Sequence, residues 1–169
     1  MNYLISAENI RKLGLIHPNT DTKLLTVAIK RSQDMHIQPA LGTPLYKALL
    51  LRVQNNDWTD PNYVTLMNDY VIPCLVAFVD YRSAVFLNEK LTNKSVGRQS
   101  DDTMQANDNS QTKQLQDHLR KDAYFYKERL IGYLMDDNGT MFPEYIECSC
   151  DHEEVNKDKT GYKPFGWII

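Results

Sequence analysis

The feature that most constrains this fold is a helical pattern that covers residues 60–91. Asp60 is placed to cap the helix, and Pro61 fits its first turn. The expected inward residues recur at steps of three and four, which is the spacing of one side of an α-helix: Tyr63, Met67, Tyr70, Cys74, Phe78, Tyr81 and Val85. A chain of 169 residues organised around such a helix is expected to form one helical bundle.

Pro73 lies inside this pattern, where a proline removes a backbone hydrogen bond and clashes with the preceding turn. The sequence therefore predicts one long helix with a kink near residues 69–71. Beyond the kink the helix is apolar on nearly every side, because residues 75–79 read LVAFV. Such a helix needs cover all around it, and we expect a neighbouring subunit to supply part of that cover.

Capping residues and apolar periodicity predict four further helices, over about residues 7–13, 21–37, 45–54 and 110–135. Residues 39–44 (PALGTP) are expected to separate the second helix from the third. The expected inward stripe of the second helix is Leu24, Leu25, Ala28, Ser32 and Met35. The stripe of the last helix is the most regular in the chain: Leu115, Leu119, Ala123, Tyr126, Leu130 and Leu134.

Two segments have no helical period. Residues 92–109 are polar, and an insertion of this length is typical of a functional or disordered loop. Residues 140–169 end in aromatic side chains that need a surface to dock on: Tyr162, Phe165 and Trp167. The predicted fold is therefore an all-α helical bundle of four to five helices with one long kinked helix. The helical domain covers residues 1–139, including the long polar loop 92–109, and an extended C-terminal docking tail covers residues 140–169.

Composition narrows the possible functions. The formal net charge is −3 and no basic face is visible, which argues against a protein that grips nucleic-acid phosphates. The N-terminus has neither the basic start nor the apolar run of a signal peptide, and the most apolar run, residues 70–79, is about half of a bilayer span. We expect a soluble protein, made in a cytoplasm, without a membrane partner.

Cys148, Cys150 and His152 form the strongest candidate for chemistry, because they place two thiols and an imidazole within five residues. Zinc sites usually separate paired cysteines by two to four residues and draw on a second pair elsewhere. The remaining cysteine, Cys74, lies in the predicted core. Packing without a metal is the favoured interpretation, and a small metal-binding regulatory protein is kept as an alternative.

No catalytic constellation stands out. The four histidines lie on separate predicted elements, and none accompanies a nucleophile motif. We expect no enzymatic activity and no cofactor. Tyrosines are frequent on the two longest helices, and about half of them are expected at interfaces, where this residue is enriched.

Three stretches together resemble a known family. They are residues 37–50 (IQPALGTPLYKALL), 91–97 (LTNKSVG) and 123–145 (AYFYKERLIGYLMDDNGTMFPEY). In this order and spacing they look like the head–tail connector proteins, also called adaptors or neck rings, of tailed bacteriophages. The likeness is greatest to the connectors of crAss-like phages and covers most of residues 5–145.

The resemblance implies a structural virion protein that is assembled in the host cytoplasm and located in the head–tail neck. Copies would form a ring, usually twelvefold, between the portal protein and the next neck or tail protein, with genomic DNA only as passive channel content. The alternative within the same class is another ring, a stopper or tail terminator. By the same resemblance the tail would clamp the portal or a neighbour, and loop 92–109 would make the other contact. The expected interface residues are Tyr70, Phe78, Lys94, Arg98, Phe142, Tyr145, Tyr162, Phe165 and Trp167.

Overall fold

A computed structural model describes residues 3–91, 96–98, 109–136 and 141–146. These residues form an all-α bundle with one small β-hairpin, which confirms the predicted fold class. The helices are α1 (Ala7–Leu13), α2 (Thr22–Ser32), α3 (Gln38–Leu41), α4 (Thr43–Asn55), α5 (Pro61–Thr65), α6 (Ile72–Asn88), α7 (Asn109–Met135) and α8 (Pro143–Ile146). The hairpin pairs β1 (Glu89–Leu91) with β2 (Val96–Arg98), antiparallel.

Two π-helical segments join neighbouring helices into longer rods. Gln33–Ile37 connects α2 to α3, and Leu66–Val71 connects α5 to α6. Each π segment is followed, two residues after its end, by a proline inside the helix: Pro39 and Pro73. The helix continues through residues 69–71 as expected, and these residues lie in the second π-helical segment, while the kink stays a prediction.

The break predicted at PALGTP is much shorter than expected. The rod that begins with α2 continues through Pro39 to Leu41, and only Gly42 separates it from α4. Gly42 has φ 73°, a left-handed value that a residue without a Cβ adopts at no steric cost. The wider π turn accommodates Pro39, because the amide of Gln38 bonds to the carbonyl of Gln33, five residues back.

Gln33 explains why the first π segment is stable inside the bundle, although its side chain is polar and fully buried. Its Oε1 accepts a hydrogen bond from the Leu4 amide at 2.9 Å, and its Nε2 donates to the Tyr46 hydroxyl at 2.9 Å. Both ends of the amide are therefore satisfied, as burial of a polar group requires. The N-terminal segment and α4 are tied to the same point.

Most of the apolar half of α6 is covered within a single chain. Cys74, Leu75, Phe78 and Val79 are fully buried, and Val76 is nearly so. Helix α2 packs on one side of α6 and α7 along another. Helices α2 and α7 therefore supply most of this cover, while Ile72, Pro73 and Ala77 are only partly buried, so completion of the cover by a neighbouring subunit stays a prediction.

Two predicted stripes are partly wrong. On α2 the buried residues are Leu25, Ala28, Ile29 and Ser32, whereas Leu24 and Met35 are exposed. On α7 the side chains of Ala123, Leu130 and Leu134 are buried as expected, but Leu115 is exposed. In both helices the exposed residues lie at an end or edge of the predicted stripe, and the residues at its centre are buried.

Helix α8 belongs to the helical body. The Phe142 ring is fully buried and meets the ring of Tyr63 edge-on at 5.2 Å, while the Tyr63 hydroxyl donates to the Glu144 carboxylate at 2.6 Å. Tyr145 is also buried in the common core. Residues 141–146 therefore pack with α5 instead of extending away as the start of a docking tail.

Candidate interaction surfaces

An apolar groove of about 370 Å³ lies between the end of α1, the start of α6 and the first half of α7. Its floor and walls are formed by Ile72, Pro73, Val76, Ala77, Leu119 and Tyr126. Leu13 and Leu15 stand at its edge with 60% and 80% of their surfaces exposed. We call this feature the α6–α7 groove.

Asp80 fixes the edge of the groove by tying the turn after α1 to α6. The Leu15 amide donates to both carboxylate oxygens of Asp80, at 3.1 and 3.2 Å. The preceding residue must be small, because a Cβ on Gly14 would lie 2.7 Å from Asp80 Oδ1 and 2.9 Å from the Ile10 carbonyl oxygen. The hydrogen bonds to Asp80 therefore fix the backbone of Leu15 and leave its side chain exposed.

The groove is acidic as well as apolar. Asp80 and Asp122 line it, and none of the described residues that line it is basic. Burial raises the pKa of Asp80 to about 6, while the hydrogen bond from Leu15 opposes that shift. The groove therefore combines two acidic side chains with the exposed leucines at its edge.

A second apolar surface follows one side of α2 and enters the π-helical segment. Leu24, Val27 and Met35 are exposed there. Lys23 and Arg31 fall on the same side, because all five residues lie within one arc of the helix. We call these five residues the α2 flank. It combines exposed apolar side chains with two positive charges, and the acidic Asp34 on the same side is paired with Lys30.

The Met35 end of the α2 flank and the α6–α7 groove lie on opposite sides of α6. Arg82 Nη2 reaches Met35 Sδ at 3.1 Å and His36 Nε2 at 2.9 Å, whereas Asp80 faces the groove. Two residues apart on an α-helix correspond to a rotation of about 200°. Asp80 and Arg82 therefore point to opposite sides, and each marks a different exposed surface.

His36 is a structural residue beneath the flank. Its ring stacks on Phe78, with centroids 3.8 Å apart and planes 4° from parallel. Burial, and then the charges of Arg82 and Lys127, lower the pKa of His36 to about 4. Since an arginine can only donate, His36 accepts through Nε2 and is neutral at pH 7.

The structure corrects part of the predicted interface. Phe78, Phe142 and Tyr145 are buried within one chain, so their side chains form core contacts and no exposed contact surface. Tyr70 is half-buried and stacks on Tyr133 with ring centroids 4.0 Å apart. Its partner is therefore also within the chain.

The side chains of the other predicted interface residues are not among those that the structure describes. Arg98 is described only through its backbone, where it pairs with Glu89 at the hairpin. Lys94, Tyr162, Phe165 and Trp167 lie outside the described residues. Their assignment to an interface stays a prediction.

The exposed residues Leu13, Leu15 and Val27 were missed as interface candidates. Helical periodicity gives no signal for Leu15, because it follows a glycine and precedes a turn. Val27 does carry a signal, since it falls outside the inward stripe of α2 and is therefore an apolar residue on an outer side of the helix. Exposed apolar residues become informative only when several form one patch.

The chemical candidates remain untested. Burial raises the pKa of the Cys74 thiol to about 12, which makes it unreactive at neutral pH. Within the described ranges no three His, Cys, Asp or Glu side chains are grouped as metal ligands. Cys148, Cys150 and His152 lie outside those ranges, so the metal alternative stays a prediction. Stoichiometric zinc that is lost in a Cys150→Ser variant would support it.

Helix α5, the π segment and most of α6 form a stretch, Pro61–Ala84, that has the length and apolar composition of a membrane span. Half of its most apolar window is buried inside the bundle. The core helices of soluble proteins have the same properties, and here the stretch lies between α2 and α7.

Comparison with known proteins assigns the family but no activity. Residues 37–154 match the family of unknown function DUF6712. The chain belongs to this family. No curated protein and no solved structure matches it. The part shared with DUF6712 includes the α6 and α7 walls of the groove and the residues from Cys148 to His152, whereas α1 and α2 precede it.

Proposed function

We propose that this DUF6712 protein is a structural subunit that assembles with copies of itself into a ring in the neck of a tailed bacteriophage. The observation that carries the proposal is the pair of unlike apolar surfaces, the α6–α7 groove and the α2 flank, which have no residue in common. Each copy of a ring subunit meets two neighbours through two different surfaces, whereas a two-fold dimer uses one surface twice.

The surfaces are suited to protein contact. Leu13, Leu15 and Leu24 are exposed next to other apolar side chains, and contiguous apolar patches on a folded protein are typical of interaction sites. The body behind them is rigid, because one core includes residues from the N-terminal segment through α8. A rigid body with two fixed contact surfaces defines a constant angle between neighbours, which is what closure of a ring requires.

The resemblance to head–tail connectors supplies the biological setting. In that setting a ring of twelve copies lies between the portal and the next neck or tail protein, inside the virion. A net charge of −3 suits the wall of a channel through which DNA passes without being held. The protein has no enzymatic task in this account and needs no cofactor.

A reconstitution experiment tests the proposal. The full chain is purified alone and together with the portal protein from the same genome, and the mass of each species is measured by light scattering. We expect a portal complex that contains a ring of the chain, with twelve copies per portal ring. The absence of any complex with the portal, together with a monomeric chain in purified particles, would contradict the proposal.

The position of the ring separates the alternatives within this class. A connector binds the portal directly, whereas a stopper or tail terminator binds a neck or tail protein farther from the capsid. The same reconstitution with those proteins as partners distinguishes them, because only one partner should retain the chain on a column.

A further inference from the structure

We propose that the α2 flank of one copy packs into the α6–α7 groove of the next copy, and that this head-to-tail contact generates the ring. The inference rests on the proposed function, because it names the contact that joins the subunits. The proposed occupant of the groove is a second copy of this chain.

The first argument is the match in apolar character. Leu24 and Val27 are one turn apart on α2 and both are exposed. The groove offers about 370 Å³ lined mainly by aliphatic and aromatic side chains. This volume is at the lower end of ligand-sized pockets. It therefore admits a few apolar side chains from a helix that lies across it, but not a whole helix.

The second argument is charge. Lys23 and Arg31 belong to the α2 flank, and Asp80 and Asp122 line the groove. The two surfaces therefore carry opposite charges next to apolar residues. Complementary charge of this kind favours the correct partner and opposes contact between two copies of the same surface.

The third argument is the amount of exposed apolar surface that one contact covers. A single chain leaves both the α2 flank and the edge of the groove, Leu13 and Leu15, exposed to solvent. One head-to-tail contact covers both surfaces at once. A peptide or the segment 147–169 placed in the groove would leave Leu24, Val27 and Met35 exposed.

The geometry permits the contact to repeat. Since none of the five flank residues lines the groove, a copy that receives a neighbour in its groove still presents its own α2 flank to another copy. A contact between unlike surfaces propagates in this way until it closes into a ring or forms a filament.

Charge reversal in the full-length protein tests the contact. Lys23→Glu, Asp122→Lys and the double variant are compared with wild type by sedimentation equilibrium over a range of protein concentrations. Both residues are exposed, so the fold should be retained, and circular dichroism verifies it. We expect each single reversal to weaken self-association by about tenfold or more, and the double variant to recover most of it.

Matched controls separate this contact from general effects of charge and hydrophobicity. Glu128→Lys makes the same charge change on another side of α7, and Leu51→Ser removes an exposed leucine from α4. Neither should alter association. Leu24→Ser should weaken it as much as the single charge reversals do.

Three results would overturn the inference. One is a double variant that associates as weakly as the product of the two single effects, and another is wild-type protein that stays monomeric at every concentration. The third is association that responds to Phe165→Ser and Trp167→Ser but not to Leu24→Ser, which would identify the C-terminal segment as the occupant. A portal complex with a ring that uses other surfaces would leave the proposed function intact while this inference fails.

Discussion

At the residue scale, two titratable side chains, Asp80 on α6 and His36 in the first π-helical segment, respond to pH in opposite directions. Asp80 faces the groove with a raised pKa, and His36 lies beneath the α2 flank with a lowered pKa. Both shifts are caused mainly by burial, which disfavours the charged form of either group. The two exposed surfaces are thus each supported by a residue that is sensitive to acid.

The first prediction concerns Asp80. Its pKa is about 6 in the folded chain and near 3.8 when unfolded, so between these values the folded state holds a proton that the unfolded state lacks. The contribution of Asp80 to stability is therefore present below about pH 4 and is lost as pH rises through 6. In urea unfolding, Asp80→Asn should gain stability relative to wild type from pH 4 to pH 7. A constant difference across this range would contradict the shift.

The second prediction concerns His36 and has the opposite sign. Its pKa is about 4 when folded and 6.5 when unfolded, so the unfolded state binds more protons between those values. The contribution of His36 is fully present above pH 6.5 and is lost as pH falls towards 4. The wild type should lose stability relative to His36→Asn over this interval. Parallel stability curves for the two proteins would count against a neutral, buried imidazole.

At the scale of elements, sequence patterns identified the helices and failed at their edges. The buried centre of the α7 stripe and the capping of α5 by Asp60 followed from spacing and local chemistry, and both are present. The π segments were not predicted, because their wider hydrogen-bond pattern leaves the apolar spacing nearly unchanged. Helix α8 was missed because four residues are too few for any periodicity. Its position depends on long-range contacts with Tyr63 that no local pattern contains.

The turn after α1, which packs against Asp80 of α6, gives the third prediction. Gly14→Ala should destabilise the fold by about 1–3 kcal/mol, because the new Cβ overlaps Asp80 and the Ile10 carbonyl oxygen. Gly132→Ala is the matched control, since a Cβ there meets nothing within 4 Å and lies inside α7. The control should raise stability by about 0.5–1 kcal/mol. Thermal unfolding of both variants measures the difference, and equal effects would refute the close contact at Gly14.

Helix α8 gives the fourth prediction. Phe142→Ala should lower the free energy of unfolding by about 3–5 kcal/mol, because it removes a fully buried ring from the core. Phe125→Ala, on a side chain that is 62% exposed, should change it by no more than about 0.5 kcal/mol. Denaturant titration of the isolated protein is the measurement. A small effect would contradict a core role for Phe142 and favour its predicted role at an interface.

At the scale of the whole molecule, the argument for assembly depends on two exposed surfaces, the α6–α7 groove and the α2 flank. The apolar composition of α6 predicted a partner, but a sequence does not reveal that α2 and α7 cover most of that helix and leave the rest in an open groove. The groove was unpredictable for a related reason, since it joins residues from α1, α6 and α7 that are far apart in the chain. Predictions from periodicity concern single elements, whereas a contact surface is a property of several packed elements.

The most direct test of the proposed neck ring is a reconstruction of the necks of particles produced from the genome that encodes this chain. We predict a closed ring in which every copy touches its two neighbours through different surfaces, with α2 on one side of each contact. Copies related by two-fold axes through a single shared surface, or a neck without this chain, would contradict the account.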